Sequence, residues 1–276
     1  LCFKIDIHIM PDLPFTTIEK DKECFDYVYS KLCPDQMKIY PCSVTPWTVI
    51  EKWYSTGKWT PYSKEELKEV MDYGMTNCPK WVRLPRVVRD IPNEYLLAGN
   101  QCTNLRQMIC ESNDIRSREI ERHPEYYNKP AKIFIEKYSD LDYFISYESL
   151  DQKALFGFIR LRLPKNYSDE YDILKNKALI RELHVYGYTT AVGTKAKSSQ
   201  HLGIGTILLK KAESMAFRSM YSGTVVISGE GVKEYYFKKG YYEKDTYMIK
   251  EFRFFKIIRV IKNYFIITDI YQFLSN

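Results

Sequence analysis

The sequence predicts an α/β protein built as two successive units, and three observations carry that expectation. Over roughly the first third, short alternating apolar runs are interleaved with helix-like segments, the pattern of a parallel sheet or barrel. Over the second half, several strand-like runs follow one another, then a long helix, then strand, helix and strand. In that half, a strand at 180–187 leads through a loop carrying Gln-x-x-Gly-x-Gly into the long helix.

Composition excludes little. The 276 residues are 45% hydrophobic and 28% charged, as in ordinary soluble proteins. A net charge of +6 is compatible with a nucleic-acid partner without demonstrating one. The seven cysteines are loosely spaced with no Cys-x-x-Cys, so reduced thiols and a cytoplasmic location are expected, with the nucleus as the alternative. The chain begins at Leu1, inside an alternating run, which suggests an N-terminal truncation.

Residues 1–95 form the first expected unit. Phe3, Ile5, Ile7 and Ile9 alternate with Lys4, Asp6 and His8, which predicts a strand over Leu1–Met10. Pro11 and Pro14 break it. A helix is expected over Thr17–Tyr29, a strand over Met37–Pro41, and a helix from Pro46 to near Gly57. Ser63 and Glu66 form a capping-box start for a helix to about Tyr73. Trp81–Asp90 reads as a basic strand interrupted at Pro85.

Residues 96–130 read as a connector holding Arg106, Arg116, Arg118 and Arg122. With Arg83, Arg86 and Arg89 these form either a phosphate-binding surface or a solvated basic face. Residues 131–250 form the second unit, with strands at Ala131–Tyr138, Tyr143–Tyr147, Ala154–Leu163 and around Ile180, and a helix to about Ser219. A strand over Thr224–Ser228, a helix over Val232–Lys239 closed by Gly240, and a strand over Tyr241–Ile249 complete it. The tail, 251–276, is apolar but carries Arg253, Lys256, Arg259, Lys262 and Asp269, which argue against a membrane span. A helix packed on the domain or on a partner is expected there, with an interfacial membrane helix as the alternative.

The loop Gln200-His201-Leu202-Gly203-Ile204-Gly205-Thr206 suits a phosphate. Glycines let the backbone approach a ligand, and the free N–H groups of a helix N-terminus favour an anion. The bland alternative is a glycine-rich turn before an ordinary helix. Strand, Gln-x-x-Gly-x-Gly and helix in this order resemble the pyrophosphate site of GNAT-type N-acetyltransferases, and the strand order of 131–250 suits that fold.

Several runs together resemble the catalytic subunit of the Elongator complex. They are His8-Ile-Met-Pro-Asp-Leu-Pro14, Lys38-Ile-Tyr-Pro41, Arg89-Asp-Ile-Pro92, Asn104-Leu-Arg106, Arg118-Glu119, Arg181-Glu-Leu-His-Val-Tyr-Gly187, Gln200-His-x-Gly-x-Gly205, Val226-Ile-Ser-Gly229 and Glu234-Tyr-Tyr-x-Lys-x-Gly-Tyr241. The resemblance implies the C-terminal part of a radical SAM-type α/β barrel followed by a GNAT-type acetyltransferase domain. It implies acetyl-CoA-dependent placement of a carboxymethyl group at carbon 5 of the tRNA wobble uridine, with tRNA and other Elongator subunits as partners. It also implies S-adenosylmethionine and a 4Fe-4S cluster, whose cysteines would lie upstream of Leu1.

On that resemblance acetyl-CoA lies along Leu183, His184 and Val185, with its pyrophosphate at Leu202–Thr206. Tyr236 is the first candidate for general acid and Tyr235 the second. Aromatic core packing is the alternative role for either, and two consecutive helical residues cannot face the same way. Glu182 and His184, two apart on a strand, share a face and are either site residues or a structural pair. Many family members carry a cysteine cluster before the connector's Arg-Glu. Here Asp114 and Ser117 hold those places and only Cys102, Cys110 and His123 lie near, so no metal site is expected. A protein-lysine acetyltransferase and a non-catalytic scaffold are the competing readings, because GNAT folds serve many acceptors.

Overall fold

The computed structural model describes residues 3–89, 91–100, 106, 112–165, 172–187 and 203–254. The chain divides into two units, Leu1–His123 and Pro124–Asn276.

In the first unit, β1 (Asp6–Ile9) pairs in parallel with β2 (Gln36–Ile39). The crossover between them carries α1 (Ile18–Tyr27), capped by the Thr17 side chain, and a π-helical turn, Val28–Leu32, that ends at Cys33 in a left-handed conformation. β3 (Ser43–Val44) pairs antiparallel with β4 (Ala98–Gly99). Between these two strands come α2 (Val49–Ser55), capped by Thr48, and α3 (Lys64–Thr76), which starts at a complete Ser63–Glu66 capping box. The core joins Phe25 of α1, Met37 and Ile39 of β2, Val70 and Met71 of α3, and Leu84. Phe25 lies flat against Gly74, where a Cβ would fall 2.5 Å from the ring, so only glycine allows α1 and α3 to approach this closely.

The expected strand over Trp81–Asp90 is absent among the described residues. Pro85 interrupts it, and the segment instead lies beside β2 through an isolated Gln36–Arg83 bridge and the carbonyls of Arg83 and Arg86, which accept from Met37 and Ile39. The connector is also less separate than expected. Ile115, which opens the short α4 (Ile115–Arg118), and Ile120 are fully buried, and Ile115 N–H donates to the Val82 carbonyl, so its described residues up to His123 belong to the first unit.

A carboxylate pair ties the Pro11–Pro14 loop to this unit. Asp12, in a left-handed conformation and only 1% exposed, accepts from Tyr62 N–H at 3.1 Å through both oxygens. Asp21 accepts from Asp12 N–H at 2.8 Å and from the Tyr62 hydroxyl at 3.0 Å. Burial pushes the Asp12 carboxyl up to about 7, the Tyr62 N–H opposes this, and Asp21 and Glu66 add repulsion.

The second unit is a seven-stranded sheet in the order β10-β11-β9-β8-β7-β6-β5. Its strands are β5 (Ala131–Lys137), β6 (Asp142–Ser149), β7 (Leu155–Arg162), β8 (Lys177–Val185), β9 (Gly223–Ile227), β10 (Tyr242–Lys244) and β11 (Tyr247–Glu251). All neighbours are antiparallel except β8 and β9, which are joined through α5 (Ile204–Arg218). α5 buries Ile204, Leu208, Leu209, Ala212 and Ala216, which recur at helical spacing, and it packs on β7 and β8. A Cβ at Gly223 would fall 2.2 Å from the Lys250 carbonyl, so β9 and β11 meet only because that position is glycine.

One strand expected over Tyr241–Ile249 is two. Asp245 adopts a left-handed conformation and, with Thr246, turns the chain into a hairpin of β10 and β11. The helix expected over Val232–Lys239 is a 3-10 turn, Glu230–Val232, followed by the short α6 (Lys233–Phe237). Of the tail expected over 251–276, Glu251 ends β11, and residues 255–276 lie outside the described residues. Among those described, no helix is long and apolar enough to cross a membrane.

A folded-state Asp12 carboxyl titrating above its unfolded value near 3.9 binds its proton more tightly when folded. Its contribution to stability is therefore complete at low pH and is lost as pH rises from about 4 through about 7. Asp12→Asn keeps an acceptor for Tyr62 and should flatten that decline, as read by urea midpoints across the window.

Candidate functional site

The second unit's sheet opens at its one parallel junction. β8 and β9 pair only over Lys177–Ile180 against Gly223–Val226. β8 then runs on to Val185, held from the other side by β7 through Arg160–Glu182, Phe158–His184 and Gly157–Val185. The two strands part here, and the N-terminus of α5 lies at the end of β8.

Gly203 caps α5 with φ at 107°, a conformation that a side chain would strain. The first intrahelical bond runs from Ile207 N–H to the Gly203 carbonyl, so the Ile204, Gly205 and Thr206 N–H groups head the helix. A Cβ on Gly205 would lie 3.0 Å from the Tyr235 hydroxyl and 3.5 Å from Val185 Cγ2. The end of β8, the first turn of α5 and a phenol from α6 therefore converge on one spot.

The two tyrosines face different ways. Their rings meet edge to face at 5.3 Å. Tyr236 turns inward, packs on Tyr241 at 5.4 Å and is 5% exposed; burial pushes its phenol up to about 12. Tyr241 is anchored in turn by Thr224 and Glu213, each at 2.9 Å. Tyr235 instead faces the helix start. Burial raises its phenol too, the neighbouring Thr206 side chain opposes this, and it makes no hydrogen bond of normal geometry among the described residues.

His184 is exposed and stacks on Phe158 at 6.1 Å and against Tyr186 at 4.4 Å, while Val185 is 42% exposed. Glu182 accepts from Arg160, a guanidinium that is 1% exposed and lies over three aromatic rings, so it neutralises an interior charge. Leu183 lies between them in β8. Gln200, His201 and Leu202 fall outside the described residues.

The six arginines expected to face RNA do not form one surface. Arg118 is 4% exposed and donates to the Asn113 and Lys80 carbonyls. Arg106 donates to Asp114, Ser117 and the Leu84 carbonyl. Arg116 donates to the Pro85 carbonyl, and Arg83 pairs with Glu119 at 2.9 Å. Arg106 and Arg118 thus direct these donors to backbone and side chains of the same unit. Arg86 and Arg89 remain exposed.

Asp114, fully buried, is the hub of this arrangement, and its cause is visible in the sequence only as a departure from a cysteine pattern. Oδ1 accepts from Arg106, Ser112 and Ser117, and Oδ2 from the N–H groups of Leu84 and Arg116. Those donors occupy the carboxylate, which leaves no lone pair directed at a metal. Cys78, also buried, has its thiol pushed well up by burial and by the Asp114 charge, which disfavours the thiolate a metal would need. Among the described residues no group of three or more His, Cys, Asp or Glu side chains could hold a metal.

The fold and site together define an acetyltransferase-type α/β sheet preceded by the end of a radical SAM-type domain. The Radical_SAM C-terminal domain family matches residues 34–113. The chain is 35% identical over 272 residues to the tRNA uridine(34) acetyltransferase of Methanocaldococcus infernus, covering 90% of this chain and 50% of that protein. It is 32% identical over 266 residues to human Elongator complex protein 3, covering 90% and 49%. Among solved structures it is similar to the M. infernus Elp3 with an N-terminal deletion, at 34% identity and a TM-score of 0.78, covering 91% of this chain and 63% of that one. The chain belongs to this Elongator protein 3 family and spans about half the length of the curated relatives it matches.

Removing the hub should be costly. Asp114→Ala strands a guanidinium and several N–H groups, and should destabilise the fold by about 3 kcal/mol in denaturant melts.

Proposed function

We propose that this chain is the acetyl-CoA-holding part of an enzyme that modifies the wobble uridine of tRNA, placing a carboxymethyl group at carbon 5. The observation that carries the reading is the convergence of Val185, the Gly203–Gly205 turn and Tyr235 where β8 and β9 part. The relatives' names supply the substrate: one is a tRNA uridine(34) acetyltransferase.

Each residue then has a task. The backbone of Leu183–Val185 takes the pantetheine arm as an added strand. The head of α5 takes the pyrophosphate, where N–H groups and the helix dipole stabilise negative charge without a basic side chain. Gln200, His201, Leu202 and Thr206 are proposed as further contacts to the cofactor, as the family resemblance implies. When water attacks the thioester carbonyl, the sulfur leaves as a thiolate and needs a proton. In this reading Tyr235 gives it, because its hydroxyl lies beside Gly205 at the helix start. Tyr236 is the poorer donor, because a phenol at about 12 lies well above an ordinary thiol near 8.5 and its ring is committed to Tyr241.

S-adenosylmethionine and its 4Fe-4S cluster would supply the radical chemistry that joins the acetyl carbon to the base. The described cysteines, Cys24, Cys33, Cys42 and Cys78, do not assemble into a cluster site, so the residues of this chain are given no step in it. Other Elongator subunits are the partners this reading implies.

The test is release of CoA thiol from acetyl-CoA by the full chain, with and without tRNA. Release that requires tRNA supports the proposal. Release that ignores tRNA but follows added lysine peptides would make the chain a protein acetyltransferase instead. Within the tRNA-dependent signal, Tyr235→Phe should lower the rate about 100-fold, the scale of a lost general acid. Tyr236→Phe should change it only a few-fold.

A further inference from the structure

The first unit holds a cavity that the acetyl-CoA site does not use. It is lined by His8, Ile9, Met10, Tyr40, Arg86 and Arg89, with a volume of about 470 Å³. That lies within the range of small-ligand sites, roughly 300–1,000 Å³. Its place is set by topology. β1 and β2 run in parallel, His8 and Ile9 end β1, Met10 follows it, and Tyr40 follows β2. The cavity thus sits at the carboxyl ends of parallel strands, where open α/β sheets and barrels bind their ligands.

The chemistry of the lining is specific. Arg86 and Arg89 are exposed, and neither guanidinium makes a hydrogen bond or ion pair with any described residue. This sets them apart from Arg83, Arg106, Arg116 and Arg118, all of which are engaged within the unit. Two guanidinium groups on one cavity with no counterion among the described residues call for an anion, and their planar forks suit phosphate. Opposite in character are the rings. His8 meets Tyr40 edge to face at 5.5 Å, and Lys38 Nζ lies 3.1 Å from His8 Nε2, which fixes the imidazole at the rim. Ile9 and Met10 complete an apolar wall. A ligand matching both halves carries a phosphate and a flat ring.

We infer that this cavity takes one nucleotide, its phosphate held by Arg86 and Arg89 and its base packed on Tyr40 and His8. As a site for a nucleotide of RNA, it rests on the proposed tRNA reading and narrows it: Arg86 and Arg89 bind phosphate, while Arg83, Arg106, Arg116 and Arg118 build the unit.

The experiment pairs RNA and protein changes on the full chain. An RNA stem-loop is titrated against wild type, as are stem-loops with one loop base at a time removed to leave abasic ribose. At one loop position, loss of the base should weaken binding about ten-fold, the scale of a lost base–aromatic contact. Tyr40→Leu and His8→Ala should weaken binding of the intact loop by a similar factor and have no further effect on that abasic loop. Arg86→Gln and Arg89→Gln should each reduce the slope of log affinity against log salt by about 0.7. Thermal melts identify any variant that fails to fold, and the paired ring and arginine variants leave an alternative readout.

Ring variants that act alike on intact and abasic loops would overturn the pocket while leaving RNA binding in place. If the wild type binds no stem-loop, the RNA reading fails, and uridine 5′-monophosphate becomes the probe. Its binding, lost in Arg86→Gln, would keep the cavity as a free-nucleotide site, and its failure to bind would overturn the inference.

Discussion

The second unit depends on a single interruption in strand pairing. β8 and β9 are held together for four residues and then part, while β7 keeps β8 extended to Val185. A continuous sheet would have satisfied its backbone internally and left no edge to receive a ligand. The interruption follows from connectivity: β8 and β9 are the one parallel pair, and parallel strands need a crossover, here α5. The helix that makes the crossover also delivers its N-terminus to the gap. Opening, helix dipole and strand edge are thus consequences of one topological choice.

Around that gap, small residues and buried pairs provide rigidity. Gly205 keeps room for the Tyr235 hydroxyl, and Gly223 lets β9 and β11 close. Arg160, buried in β7, pairs with Glu182 of β8, the strand that carries His184. The first unit uses the same means at Asp114, where donors converge on one carboxylate, and at Asp12 and Asp21 beneath the Pro11–Pro14 loop. These polar centres are specific because each unmet donor would be costly in the interior. They also explain why basic residues near one another in sequence have different roles.

Much of this was legible in the sequence. The capping box at Ser63, the apolar spacing of α5 and the β-branched run of β9 carry local signals strong enough to place their elements. The Gly-x-Gly turn pointed to the site. What escaped depends on contacts distant in sequence. Nothing local reveals that Pro85 lies against β2, that Asp245 turns a strand into a hairpin, or that Tyr236 rather than Tyr235 packs on Tyr241. The arginines mislead for the same reason. Charge counts cannot tell Arg118, whose donors meet carbonyls of Asn113 and Lys80, from Arg86, which faces a cavity.

The central claim is that a CoA thioester lies between the end of β8 and the head of α5. Hydrogen–deuterium exchange of the full chain with and without acetyl-CoA tests it most directly. The account predicts that acetyl-CoA slows exchange at the amides of Leu183–Val185 and Ile204–Thr206 together, with the β5 and β6 amides unchanged. Acetyl-CoA that binds while leaving both of those segments unprotected would contradict it.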